Sequence, residues 1–178
     1  LGPPLLPILL FFSRIQLFSF SGQDGISQTE AFVPIIIGCL DHPHIFIRKG
    51  AARALANISS AENESSSSSI ILLQFCKRTI QSSLVLQHKG QHWNMLHGAL
   101  LTIRELVGST AGASVAIREL ELGLDLLQVA SLNGIKKALA PPTCMMIALE
   151  SLAKLVDERE LHERTEEACF EIIQWLEE

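Results

Sequence analysis

Apolar residues recur every three or four positions along most of the chain, which is the spacing that places side chains on one face of a helix. The chain has no Tyr and lacks the alternating runs of β-branched and aromatic residues that are typical of strands. Several segments carry one apolar face each, and short polar or Pro- and Gly-containing links separate them. The pattern therefore predicts an all-α protein.

The clearest pair of predicted helices spans about residues 29–58. The first helix tolerates Pro34 in its first turn, where a missing N–H costs little, and it ends at His42, because a following proline disfavours helical dihedrals there. Its apolar face is predicted to contain Phe32, Ile35, Ile36, Cys39 and Leu40. The second helix has a predicted apolar stripe of Ile47, Ala51, Ala54, Leu55 and Ile58. So short a turn makes the pair an antiparallel hairpin.

A low-complexity loop is predicted for residues 60–69, "SAENESSSSS", with more helices after it. They cover about residues 70–87, 91–106 and 113–132, and another begins after Pro142 with Thr143 as its cap. A final helix is expected to bury Cys169, Ile172, Ile173 and Leu176. This organisation predicts a single α-solenoid segment of antiparallel helix pairs over residues 1–178.

Charge and cysteine content narrow the classes of function. The formal net charge is -5, whereas a dedicated nucleic-acid binder normally carries a basic footprint, so any contact with RNA is expected to be local. The four cysteines form no CxxC pair, which indicates free thiols in a reducing compartment. The apolar run "LLPILLFF" is interpreted as a core helix in preference to a targeting segment. Because the first residue is Leu1, we expect a fragment of a larger protein.

Segment 31–58 resembles a HEAT repeat, in which a turn aspartate precedes an aliphatic-Arg pair and spaced alanines. The residues that match are Asp41, Ile47, Arg48, Ala51, Ala54 and Leu55. The resemblance implies an all-α, HEAT/armadillo-like solenoid with about four repeats. It also implies that Asp41 and Arg48 pair along the stacked repeats, while the alanines allow close helix packing.

Two further sequences, "RKGAARAL" (48–55) and "NMLHGALLTI" (94–103), together resemble the C-terminal region of the THADA family. The resemblance implies a non-catalytic, cytoplasmic helical scaffold that supports ribose 2'-O-methylation of tRNA in the anticodon loop. In that family the chemistry belongs to a separate FtsJ-like tRNA 2'-O-methyltransferase catalytic subunit, which is the implied partner, and tRNA is a further candidate. The family's Arg-Arg-Ser-Ala-Gly-Leu-Pro motif does not occur in this sequence. The alternative is a generic HEAT-repeat scaffold for protein interactions with no RNA role.

The sequence offers no catalytic motif of its own. It contains no glycine-rich phosphate loop and no GxSxG elbow, and without strands it lacks a methyl-donor-binding fold. We therefore expect neither enzymatic activity nor a cofactor nor membrane contact.

Three cations on the second predicted helix, Arg48, Lys49 and Arg53, form the best candidate for contact with a partner or RNA. Lys49 and Arg53 lie four positions apart on a face free of the apolar stripe, where they could reach a phosphate or an acidic group. The competing interpretation is a solvated surface, with Arg48 used internally against Asp41.

The histidines raise the question of a metal site, which we consider improbable. His92 and His97 are five apart, not the four that would align both on one helix face. Cys39, His42 and His44 are separated by the turn at Pro43. A structural interpretation accounts for the motif around Asn94, His97 and Gly98: Asn94 caps the helix, His97 borders the apolar stripe, and Gly98 admits a close neighbour.

Overall fold

The computed structural model describes residues 7–9, 32–61, 67–85, 93–109, 122–130 and 141–154, together with 166, 170, 173 and 174. Residues 7–9 are helical. The helices are α1 (Val33–Gly38), a 3-10 turn (Cys39–Asp41), α2 (Ile45–Ala61), α3 (Ser67–Val85), α4 (Trp93–Ser109), α5 (Leu122–Ala130) and α6 (Pro142–Ala153). These ranges contain no strand. The prediction of an all-α fold is confirmed.

The helices form two layers. Helices α2, α4 and α6 pack side by side in one layer, while α1, α3 and α5 each pack against the helix that follows them, and α3 also contacts α5. Each helix of the first layer begins roughly 50 residues after the one before, which is nearer to the HEAT and armadillo period than to shorter helical repeats. The arrangement is an α-solenoid of antiparallel helix pairs.

The alanine-rich stripe of α2 explains how closely this layer packs. All five predicted stripe residues are buried, and Ala51 and Ala54 are completely inaccessible. Small side chains let neighbouring helix backbones approach, so α4 packs directly against α2. On α4 the buried residues include Leu96, Leu100, Leu101, Ile103 and Leu106.

Several details differ from the sequence prediction. Phe32 and Ile35 were expected to be buried but are 43% and 63% exposed, because the short α1 turns its other apolar residues toward the core: Ile36 is buried, and Val33 and Ile37 are partly buried against it. The predicted loop 60–69 is shorter than expected, since α2 continues to Ala61 and α3 begins at Ser67.

Two predictions for the C-terminal part are wrong, and others lie outside the described residues. Thr143 is not a cap, because α6 begins at Pro142 after Pro141 and has no side-chain cap. Ile173 is 54% exposed, contrary to the expected burial. The predicted positions Cys169, Ile172 and Leu176 lie outside the described residues, as does most of the predicted helix 113–132 before Leu122. No helix within the described ranges is long and apolar enough to cross a membrane.

Candidate functional site

A buried arginine joins the first two helix pairs. Arg48, in the first turn of α2, is only 8% exposed. Its Nη1 donates to the carbonyl oxygens of His42 (2.7 Å) and Pro43 (2.9 Å), which belong to the turn before α2. The same nitrogen donates to Asn94 Oδ1 at 2.8 Å, and Nε donates to His97 Nδ1 at 3.2 Å, both on α4. One side chain therefore fixes the turn, its own helix and the neighbouring helix.

The hydrogen bond from Arg48 defines the protonation of His97. A guanidinium Nε carries a hydrogen and has no acceptor capacity, so Nδ1 of His97 must be unprotonated. The neutral ring then carries its hydrogen on Nε2. Burial is the main cause that lowers the pKa of His97 to about 4, and the positive charges of Arg48, Lys49 and Arg104 contribute to the same shift. At neutral pH His97 is therefore an uncharged imidazole of one tautomer.

Asn94 and Gly98 complete the contact between the two repeats. Asn94 lies within the first turn of α4, and its Oδ1 accepts from Arg48, so its carbonyl is used by the neighbouring repeat and not by the capping bond that the sequence predicted. Gly98 is buried against the 3-10 turn: a Cβ there would meet the carbonyl oxygen of Leu40 and lie 2.7 Å from Leu40 Cβ. The predicted close approach at Gly98 is present.

The surface beside this contact carries a row of alternating charges. Arg53 Nε lies 3.6 Å from Glu105 Oε2. Arg104 lies 3.1 Å from both Glu105 Oε1 and Glu150 Oε2. We call Arg53, Glu105, Arg104 and Glu150 the charge row; it runs across α2, α4 and α6 and links the three helices of one layer.

The structure thus divides the three cations predicted for partner contact. The prediction that Arg48 offers its charge to a partner is wrong, because its guanidinium points inward and donates to four internal acceptors. Its internal partners are also not those expected, because turn carbonyls, Asn94 and His97 take the bonds that were assigned to Asp41. Asp41 acts on Arg48 only electrostatically. Lys49 is half-buried and Arg53 is exposed.

A family comparison covers this site. The family described as the C-terminal TPR repeats of Trm732 matches residues 1–106. That range is more than half of the chain and contains Arg48, Asn94, His97 and Gly98. The chain belongs to this family. No curated protein and no solved structure matches it.

Membership places the chain among helical-repeat modules in the context of tRNA modification. The family description calls the repeats TPR, whereas the sequence was interpreted as HEAT. Both names describe stacked antiparallel helix pairs, and the helix pairs described above are of this kind.

The metal interpretation finds no support in the described ranges, which contain no group of three or more His, Cys, Asp or Glu residues placed to hold an ion. His42 Nδ1 accepts the backbone N–H of His44 at 3.0 Å, so this ring nitrogen already serves the turn. His44 packs near Phe46, with ring centroids 5.8 Å apart. His92 lies outside the described residues.

The buried thiols are also unsuited to chemistry. Burial raises the pKa of Cys76 to about 12, and it raises that of Cys144 to about 12 despite the opposing charge of Arg48. Burial raises the pKa of the Cys39 thiol as well. A nucleophilic cysteine needs thiolate at neutral pH, so these three residues serve as small apolar side chains.

Sequence reasoning missed the bond between Arg48 and His97, although it singled out both residues. A usable signal was present: Arg48 stands next to Ile47 at the edge of the alanine stripe, and His97 stands between Leu96 and Gly98 on the buried face of α4. Two polar residues on apolar faces require partners, so the pattern marks both side chains as internally hydrogen-bonded, but it does not identify the partner of either.

Proposed function

We propose that the chain is a THADA-like, non-catalytic scaffold and regulatory segment that supports ribose 2'-O-methylation of tRNA in the anticodon loop through a partner FtsJ-like methyltransferase. The observation that carries the proposal is the family match over residues 1–106. The sequence resemblance over residues 48–55 and 94–103 falls within the same range. The proposed compartment is the cytoplasm.

The proposed mechanism is positional. A scaffold contributes to a reaction on a large substrate by holding the catalytic subunit and the RNA in one orientation, which removes part of the entropic barrier. Such a scaffold needs neighbouring repeats that keep a fixed register. The Arg48 hydrogen bonds and the close contact at Gly98 supply this for the first two helix pairs.

The charges favour a protein as the direct contact of this segment over tRNA. Phosphate binding needs cations that are not already neutralised. Arg48 is turned inward, and Arg53 and Arg104 lie beside the carboxylates of Glu105 and Glu150. A net charge of -5 also opposes a polyanion at long range.

The test combines copurification with methyl mapping. The tagged protein is expected to copurify with the FtsJ-like subunit. Deletion of its gene is expected to remove the ribose methyl at the first anticodon-loop nucleotide. An unchanged methyl level in the deletion strain would contradict the proposal. Recovery of other assemblies with no methyltransferase would favour a generic interaction scaffold without an RNA role.

A further inference from the structure

Helix α2 reaches solvent along one narrow line of side chains. From position 45 to position 59 every residue is buried except Ile45, Phe46, Lys49, Arg53 and Asn57. The last four follow one another at intervals of three or four positions, which places them on one face of the helix. We call Phe46, Lys49 and Arg53 the exposed ridge. Arg53 also belongs to the charge row, so the ridge lies on the same surface as that row.

The apolar end of the ridge stands on a fixed support. Phe46 is 60% exposed. In the turn that leads into it, Arg48 holds the carbonyl oxygens of His42 and Pro43. The backbone N–H of His44 donates to His42 Nδ1, and the His44 ring lies 5.8 Å from the ring of Phe46. An aromatic side chain on a rigid backbone loses little conformational entropy on binding, which suits an anchor residue of a protein interface.

The other end of the ridge is positive, and α2 contains no acidic residue. Lys49 makes no ion pair with any residue in the described ranges, and a half-buried lysine stem keeps its ammonium in water. Arg53 has 59% of its side chain exposed, and its 3.6 Å contact with Glu105 is longer than a hydrogen bond. The guanidinium has five N–H donors. Because Lys49 and Arg53 are one turn apart, a single carboxylate between them can pair with both.

We infer that the exposed ridge docks a short acidic segment of a partner protein, with an apolar side chain of the segment on Phe46 and a carboxylate between Lys49 and Arg53. The positive charge of α2 selects an acidic partner. Phe46 and Arg53 are seven positions apart, about 10 Å along the helix axis, so a segment of two helical turns spans the ridge. The inference rests on the proposed function in one respect, since the segment is assigned to the methyltransferase subunit.

A protein segment fits the ridge better than RNA does. Binding of a phosphate backbone depends on several cations in succession, whereas the ridge has two, and Glu105 lies beside one of them. Ile45, next to Phe46, is 36% exposed. Two neighbouring apolar side chains on a rigid turn match the apolar centre of a protein interface, and the cations match its polar rim.

Two matched pairs of variants separate the ridge from the rest of the surface. Phe46→Ala is compared with Ile71→Ala, because Ile71 is 63% exposed on α3, in the other layer. Arg53→Glu is compared with Arg78→Glu, because Arg78 is an exposed cation on α3. Lys49→Gln removes the second cation of the ridge. The four exposed positions are expected to tolerate these changes with near wild-type stability, which urea unfolding measures.

Calorimetry then measures binding of the FtsJ-like subunit to each chain. Phe46→Ala is expected to weaken binding about tenfold, as the loss of an anchor does. Arg53→Glu is expected to weaken it about tenfold at low salt, and Lys49→Gln about threefold. Both α3 variants are expected to bind as the wild type does. Added salt should weaken the wild-type complex more than the Arg53→Glu complex, because the variant has already lost part of the charge attraction.

Unchanged affinity of Phe46→Ala or of Arg53→Glu for the subunit would overturn the inference. Losses of equal size in the α3 variants would overturn it as well, because they would show that the ridge is no different from the rest of the surface.

A wild-type chain that does not bind the subunit would contradict the proposed function, and a synthetic helical peptide then tests the ridge alone. The peptide carries one leucine and, one turn away, one glutamate; its control has lysine in place of the glutamate. Shifts of the α2 amide resonances with the glutamate peptide, and not with the control, would support the docking site. Shifts with an anticodon stem-loop RNA alone would assign the ridge to RNA and overturn the inference, and so would the absence of any shift.

Discussion

Arg48 Nε donates to His97 Nδ1 across 3.2 Å, although the two residues lie 49 positions apart in the chain. The bond connects the second helix of one repeat to the second helix of the next. Because Arg48 also holds the carbonyls of His42 and Pro43, the turn inside the first repeat is tied to the same contact. Local structure and the stacking of repeats therefore depend on one guanidinium.

Replacing Arg48 should destabilise the fold. Arg48→Met keeps much of the volume but leaves four acceptors without their donor, and we expect a loss of about 3 kcal/mol in the free energy of unfolding. Urea unfolding followed by circular dichroism measures this.

The matched control is Arg53→Met on the same helix. Arg53 has 59% of its side chain exposed and sits in a 3.6 Å ion pair, so its loss should cost less than about 0.5 kcal/mol. Equal losses in the two variants would show that the internal bonds of Arg48 contribute no more than a surface charge.

The close approach at Gly98 gives a second prediction. Alanine is the better helix former by about 1 kcal/mol, yet a Cβ at this position would meet the backbone of Leu40. Backbone cannot move aside as a flexible side chain can, so Gly98→Ala should destabilise the chain by about 2 kcal/mol.

Gly108, on the same helix, is the control for this substitution. A Cβ there lies 3.4 Å from the mobile end of the exposed Lys154 side chain, so Gly108→Ala should be neutral or stabilising by up to about 1 kcal/mol. The unfolding temperature should fall in Gly98→Ala and stay unchanged or rise in Gly108→Ala. A stabilised Gly98→Ala would mean that α4 and the turn at Leu40 are farther apart than described.

These residues also indicate what the sequence could and could not predict. The stripe of α2 followed from spacing alone, because helix periodicity is local. The packing role of Gly98 followed from the cost of glycine inside a helix. The inward turn of Arg48 did not follow, since it depends on which residues of α4 lie opposite α2, and no local pattern encodes that register. Asn94 was misassigned for the same reason: its place near a helix start suggested a cap, while its partner came from another repeat.

The exposed apolar residues of α1 illustrate a second limit. Periodicity placed Phe32 and Ile35 on the face that also contains Ile36, but a helix as short as Val33–Gly38 can turn few side chains toward its neighbours. An apolar residue at the surface does not contradict the fold, because much of any protein surface is apolar. Spacing predicted the existence of the element, and its contacts decided which residues were buried.

Acid should destabilise the fold through His97. Its pKa in the folded chain is about 4, below the value of about 6.5 for an unperturbed histidine. Between pH 6.5 and pH 4 the imidazole is protonated in the unfolded chain but not in the folded chain. The free energy of unfolding therefore falls as the pH decreases through this range. The loss should reach about 3 kcal/mol once the pH is below the folded pKa.

The measurement is the urea midpoint at pH 7.5, 6 and 5 for the wild type and for His97→Asn. Asparagine does not titrate, so the variant should lack the part of the pH dependence that belongs to His97. If the two chains lose stability in parallel over this range, the depressed pKa of His97 is contradicted.

Thiol labelling tests whether the solenoid opens. Cys39, Cys76 and Cys144 are buried and free, and burial raises the pKa of both Cys76 and Cys144 to about 12. Because the thiolate is the reactive form, iodoacetamide at pH 7.5 should leave these three residues unmodified in the folded chain and alkylate them in urea, as peptide mass spectrometry would show.

Rapid labelling of Cys144 alone would indicate that α6 separates from α4 and α5. Labelling of Cys144 in Arg48→Met but not in Arg53→Met would tie that opening to the buried guanidinium, because the charge of Arg48 lowers the pKa of this thiol and its loss alone would make the thiol less reactive.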